Sequence, residues 1–145
     1  MNHGMTTAAL PATNAIAVLT FDSSGALAVD STVADAGSVI CWLALNQAGT
    51  RLYTGNTMDG TVSVFDTTIP TSPVEIQLFQ LNGTSPHASN VQVDPTGHFL
   101  YALDFQTLHV LTINQLDGTL SEVAPSVALP MPAGEQALGI ASVLK

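Results

Sequence analysis

An all-β fold built from repeated four-stranded antiparallel sheets is predicted by three features of this 145-residue sequence. The chain repeats itself. Ala44-Leu45-Asn46-Gln47-Ala48-Gly49-Thr50-Arg51-Leu52-Tyr53 aligns with Gln92-Val93-Asp94-Pro95-Thr96-Gly97-His98-Phe99-Leu100-Tyr101 at an offset of 48 residues, and a fixed period of roughly 20–50 residues marks stacked or radial units. Within one unit, runs of about six β-favouring residues are separated by Gly, Pro, Asn and Asp clusters, the pattern of strands joined by tight turns. Helix is disfavoured because Gly or Pro interrupts every segment that begins an apolar face at helical spacing.

Taken in order, residues 1–14 read as a disordered or extended tail. Residues 15–38 read as half a blade, with strands at 15–21 and 26–30. Residues 39–88 form a first complete unit with strands at 39–45, 51–56, 61–66 and 74–80. Residues 89–137 form a second, with strands at 89–94, 99–104, 107–113 and 119–123, and 138–145 hold a closing strand at 138–143. The turn Asp94-Pro95-Thr96-Gly97 places proline where φ near −65° is wanted and glycine where φ is positive. Four-stranded antiparallel repeats of this length are blades of a β-propeller. Neighbouring blades cover both faces, so near-continuous apolar stretches such as Val62-Ser63-Val64-Phe65 are tolerated. The competing architecture is a two-sheet sandwich. The strands make fewer than three blades, whereas propellers close with about four to eight. The expectation is therefore a partial β-propeller, the C-terminal part of a larger one, whose open blade edges invite self-association.

Composition narrows function. A hydrophobic content of 46% argues for a packed core. Eleven acidic side chains stand against two basic ones, Arg51 and Lys145, for a formal charge of −9. No basic patch is available for phosphates or an anionic lipid surface, so neither nucleic acid nor a membrane is expected as partner. The single Cys41 cannot form an intrachain disulfide. No apolar run reaches the roughly 20 residues of a membrane span, and the start of the chain lacks the basic segment of a signal peptide, so a soluble chain is expected. One sequon, Asn82-Gly83-Thr84, is present. No histidine pair has metal-ligand spacing, and neither metal nor cofactor is expected.

Trp42-Leu43-Ala44-Leu45-Asn46-Gln47-Ala48-Gly49-Thr50-Arg51-Leu52-Tyr53-Thr54-Gly55-Asn56, Gly60-Thr61-Val62-Ser63-Val64-Phe65 and Val93-Asp94-Pro95-Thr96-Gly97-His98-Phe99-Leu100-Tyr101 resemble the blades of lactonase-family β-propellers. That family includes 6-phosphogluconolactonase and carboxymuconate cyclase relatives. The resemblance covers about residues 15–143, and its motifs encode blade geometry more than chemistry. Leu52-Tyr53-Thr54-Gly55-Asn56 is also similar to surface-protein propellers with a Tyr-Val-Thr-Asn repeat, which are mostly binding or structural. The resemblance implies a lactonase-like hydrolase in the complete propeller, acting on a small-molecule lactone, with the chain inactive by itself. The alternative is a non-catalytic propeller segment that acts in binding or assembly.

Strand direction gathers residues 37–40, 84–88 and 133–136 on one face with the loops at 56–60 and 104–106. The candidate base there is His87 in Ser85-Pro86-His87-Ala88, because an imidazole takes a proton from water attacking a lactone carbonyl. It resembles a Pro-His element before the equivalent strand of the family. Asp104 is a second catalytic candidate, and Asn56 and Glu135 are substrate-binding candidates. Asp104 and Asn56 occupy equivalent positions in successive blades, where satisfying turn backbone is the ordinary role. His3 falls in the tail, His98 by the opposite turn and His109 on a third strand. Arg51 lies by the turn at the other end, so the candidate face offers no cation for a phosphate or carboxylate substituent. Trp42 and Tyr53 read as core or blade-interface fillers, and Cys41, matched by Ser89 and Ala137, reads as a small buried residue.

Overall fold

A computed structural model describes residues 4–10, 13–83, 86–123 and 125–143. Strands β1 (Gly4–Leu10), β2 (Ala15–Phe21) and β3 (Leu27–Ala34) form the first sheet, in that order. Strands β4 (Ile40–Leu45), β5 (Arg51–Asn56), β6 (Thr61–Asp66) and β7 (Val74–Gln80) form the second. Strands β8 (Asn90–Val93), β9 (Phe99–Asp104), β10 (Thr107–Ile113) and β11 (Leu120–Glu122) form the third, with β12 (Val127–Ala128) also paired to β10. Every pairing is antiparallel between consecutive strands, apart from β12 beside β10. The described residues contain no helix. The first strands of the sheets, β1, β4 and β8, lie side by side, β4 touching both of the others. These open sheets with their first strands together are a partial β-propeller, the architecture expected from the repeat.

The turns follow their local chemistry. Gly97 has φ +74°, and its N–H donates to Asp94 O at 2.9 Å, while the Asp94 carboxylate accepts from the N–H groups of Thr96, His98 and Phe99. Gly49 closes the equivalent turn with φ +68° and a 3.0 Å bond to Asn46 O.

Three parts of the expected layout are corrected. Residues 4–10 are not part of a tail: β1 pairs with β2 from Gly4↔Phe21 to Leu10↔Ala15. The first sheet therefore has three strands, and the third runs to Ala34. The Gly, Ala, Thr and Met of β1 have modest strand preference, and the pairing partner makes the strand. Residues 138–143 are not in a strand. Leu138 instead lies beside β8, where its carbonyl accepts from Asn90 Nδ2 at 3.1 Å, without a ladder partner among the described residues. Trp42 is 48% exposed and Cys41 is exposed, so neither fills the interior. The cause is a bulge. Ile40 pairs with Asn56 and Trp42 with Gly55, leaving Cys41 as the extra residue that upsets the alternation of faces.

Sheet two is covered on both sides, which is why β5 and β6 are buried almost throughout. Tyr53, Val62 and Val64 face sheet three and pack with Leu81, Val91, Leu100, Leu111, Ile113 and Leu120. Burying one such side chain contributes roughly 1.5–3 kcal/mol. Tyr53 Oη donates to Gly118 O at 3.1 Å, and burial pushes its phenol up to about 12. On the other side, Leu52 and Phe65 pack with Ile16 and Ile40.

Part of that second face is polar. Asp35, 5% exposed and just past β3, inserts its carboxylate against it. Thr54 Oγ1 donates at 2.6 Å, Ser63 Oγ at 2.7 Å, Asn56 Nδ2 at 3.2 Å and Gly37 N at 2.7 Å. Burial, with the Asp35 charge adding to it, raises Glu75 above its ordinary range even though Ala36 N donates to its carboxylate. Asp35→Ala leaves these donors facing a void and is expected to cost about 3 kcal/mol. A urea titration checks it, and an unchanged midpoint would show that the carboxylate does not help to join sheets one and two.

Candidate active site

The loop between β7 and β8 carries His87, and two glycines of sheet two seat it. Gly60, at φ +65°, lies directly under the Pro86 carbonyl, leaving no space for a Cβ. A Cβ on Gly55 would stand 2.7 Å from Ala88 O. Thr57 Oγ1 donates to Ala88 O at 3.4 Å, and on the far side Ser89 N donates to Leu103 O at 2.9 Å. Residues 86–89 are thus clamped between the β5–β6 turn and β9. Residues 84 and 85 of this loop, the sequon's Thr84 and the tail's His3 lie outside the described residues.

His87 is half-buried, and its Nδ1 sits 2.8 Å from Thr57 O. A carbonyl only accepts, so Nδ1 carries the proton and Nε2 carries the lone pair of the neutral ring. The imidazole lies 5.2 Å, centroid to centroid, from the ring of Phe105. Phe105 occupies the tight turn between β9 and β10 at φ +29°, a conformation rarely adopted by a bulky L residue. Residues 129–137 lap over that turn: Leu129 N donates to Gln106 O at 2.8 Å and Ala137 N to Phe105 O at 2.7 Å.

These pieces enclose an open cleft of about 310 Å³ lined by His87, Asp104, Phe105, Gln106, Thr107 and Gln136. The two catalytic candidates are therefore brought together, from different elements. The substrate-binding candidates are not. Asn56 is fully buried in the Asp35 cluster, where its Nδ2 also faces Thr61 Oγ1 and Ser63 Oγ. Glu135 is exposed and outside the lining, and its neighbour Gln136 takes that place. Arg51 is at the opposite end of the sheets, bonded to Asp117 O at 2.6 Å and to the Asp66 carboxylate at 3.2 Å. His98 is exposed beside the Asp94 turn. Among the described residues, the lining holds neither lysine nor arginine.

Beneath the cleft lies a pair that the sequence reading passed over. The Asp104 side chain, 19% exposed, accepts from Thr107 Oγ1 at 3.2 Å and faces His109 Nε2 at 3.8 Å. His109 Nδ1 meets Glu122 Oε1 at 2.6 Å, and both side chains are 1% exposed. Glu122 Oε2 accepts from Asn82 N at 2.9 Å. The hint available in the sequence was the place of His109 two residues before Leu111, on the inward side of an alternating strand.

The family described as lactonase, seven-bladed β-propeller, matches residues 5–135. The chain belongs to this lactonase propeller family. A sequence comparison with curated proteins gives no match. Among solved structures, the chain is similar to a functionally unknown protein of Desulfotomaculum acetoxidans, with TM-score 0.80 and 20% identity over 93% of this chain and 42% of that one. It is similar to a Lactobacillus plantarum protein with TM-score 0.76 and 23% identity, over 87% and 39% of the two chains. The periplasmic gluconolactonase of Pseudomonas aeruginosa gives TM-score 0.71 and 18% identity, over 88% and 38%. The chain thus spans roughly two-fifths of the length of these proteins, and the likeness is one of fold.

In this propeller segment the seat of the His87 loop is testable. Gly60→Ala forces a side chain into the Pro86 carbonyl at positive φ and is expected to cost about 2 kcal/mol or more and to abolish the protected His87 Nδ1–H signal in imidazole NMR spectra. Gly25→Ala, also at positive φ but with nothing within 4 Å of its Cβ, pays only the backbone strain and leaves that signal in place. Equal effects of the two changes on His87 would disprove the seat.

Proposed function

We propose that this chain contributes a sector of a lactone-hydrolysing site, with His87 as general base and Asp104 as the group that orients water or a substrate hydroxyl. The carrying observation is the 2.8 Å bond between His87 Nδ1 and Thr57 O, which leaves Nε2 as proton acceptor on a ring that lines the cleft. Water attacks the lactone carbonyl carbon while Nε2 takes one of its protons. The tetrahedral alkoxide then collapses, the ring C–O bond breaks, and the imidazolium returns the proton to the departing oxygen, giving a hydroxy acid. The histidine ends neutral.

Substrate charge follows from the lining. With one carboxylate and no cation among its described residues, the cleft suits a neutral lactone carrying hydroxyl groups better than a phosphorylated or carboxylated one. Turnover belongs to the complete ring, and the chain alone binds without appreciable hydrolysis. Gluconolactam, a stable neutral analogue, is expected to shift the NMR signals of His87, Asp104 and Gln136, and His87→Ala to remove that response. In the complete propeller His87→Ala lowers hydrolysis about 100-fold or more. A lactam that leaves those signals unmoved would refute the reading.

The alternative role in assembly rests on β3, which among the described residues pairs with β2 alone and exposes Leu27 at 62% and Val29 at 65%. An unpaired apolar edge recruits another strand, and a second copy of this chain is the available partner. Sedimentation is expected to show mass rising with concentration, with Val29→Lys suppressing it. A monomer at every concentration would remove this role.

A further inference from the structure

We propose that His109 and Glu122 are positioning residues that hold the two working groups of the cleft in register, an inference that rests on the lactone reading above. Glu122 is the hub. One carboxylate oxygen accepts from His109 Nδ1 at 2.6 Å and the other from the Asn82 amide at 2.9 Å. The first bond fixes the plane of an imidazole whose Nε2 stands 3.8 Å from Asp104 Oδ2 and 3.4 Å from Thr107 Oγ1. The second bond ties down the chain five residues before His87. A single buried carboxylate therefore reaches both Asp104, through His109, and the strand-to-strand segment that presents His87.

The chemistry requires this pair to stay together. A carboxylate 1% exposed is costly unless hydrogen-bonded on both oxygens, and Glu122 has one donor from each side. Because Nδ1–H is committed to Glu122, the remaining nitrogen faces Asp104 and Thr107. The Thr107 hydroxyl donates its one proton to Asp104 Oδ2 at 3.2 Å, and Nε2 as N–H faces the same carboxylate at 3.8 Å. With Nδ1–H bonded to Glu122 the imidazole stays in one orientation, and the aspartate is backed by Thr107 and His109 while its exposed edge meets the cleft. This is the arrangement in which an orienting group holds the residue that touches substrate.

Three variants separate the links. His109→Asn keeps an amide donor for Glu122 but withdraws the group behind Asp104. Glu122→Gln keeps the shape but retains one acceptor oxygen for two donors. Glu122→Asp keeps both oxygens and serves as the conservative rescue. For wild type, imidazole spectra are expected to show His109 Nδ1–H as a downfield, slowly exchanging signal that Glu122→Gln loses and Glu122→Asp restores in part. Gluconolactam binding, followed at His87 and Asp104, is expected to weaken about tenfold in His109→Asn and Glu122→Gln, with the amide signals of β4–β7 unmoved. Unweakened lactam binding in both folded variants overturns the positioning role and leaves the lactone reading intact. If wild type itself does not bind the lactam, the lactone reading fails, and positioning is judged by the spectra alone. Asp104 carboxyl and His87 ring signals that stay still in both variants then overturn it too.

Discussion

The need to cover both faces of sheet two governs this structure. A four-stranded sheet flanked by neighbours on either side has no solvent face on its middle strands, so β5 and β6 are buried nearly end to end. The two sides are filled differently. Toward sheet three the contact is apolar around Tyr53, Val62 and Val64. Toward sheet one it is split between Leu52 and Phe65 and the polar cluster on Asp35. Apolar area joins sheets two and three, with hydrogen bonds along its rim from Tyr53 Oη to Gly118 O and between Gln77 and the Leu120 backbone. The junction with sheet one also requires direction, because a buried carboxylate tolerates few placements of its donors. The neighbouring sheet also sets the loop geometry: Gly55 and Gly60 of sheet two form the floor on which the Pro86–Ala88 backbone rests.

Charge is distributed along the sheets with consequences for chemistry. Arg51 is spent at one end, bridging Asp66 and the Asp117 carbonyl. The far end, with His87 and Asp104, has no cation in its cleft lining among the described residues. Adjoining it is a more apolar hollow of about 450 Å³ between Gln106, Thr107 and residues 128–134. On the proposed reading, a hydroxylated ring with an apolar edge would lie across this pairing of surfaces.

Much of the fold was legible in the sequence, and the reason is punctuation. Strands 51–56, 61–66, 74–80, 99–104 and 107–113 are bounded by Gly, Asn, Asp or Pro, which act locally, and their observed limits coincide with the reading. Where pairing or a bulge decides, the reading missed. β1 is made by its partner rather than by its own residues, and Trp42 turns outward because Cys41 is an inserted residue. The meeting of His87 with Asp104 was legible because strand direction alone sorts loops to one end. The Glu122–His109 pair was not. It depends on a three-residue strand whose register against β10 no local signal announces.

Repeat symmetry explains why one blade seals and the next opens. Asn56 pairs with Thr61 and Thr54 with Ser63, while Asp104 pairs with Thr107 and Ala102 with His109. Asp104, Thr107 and His109 therefore stand where Asn56, Thr61 and Ser63 stand one blade earlier. In the earlier blade the carboxylate comes from outside the repeat, as Asp35, and the repeat supplies donors that close over it, leaving Asn56 without exposure. In the later blade the carboxylate has moved onto the repeat itself, and at the position of Asp35 one period on stands Gly83. Among the described residues the imidazole at the Ser63 position finds its carboxylate on its own sheet, in Glu122. The same backbone positions that lock two sheets together in one blade thus leave, in the next, an aspartate backed from within and open toward the cleft. A repeat built for packing acquires an open polar edge by moving one charge.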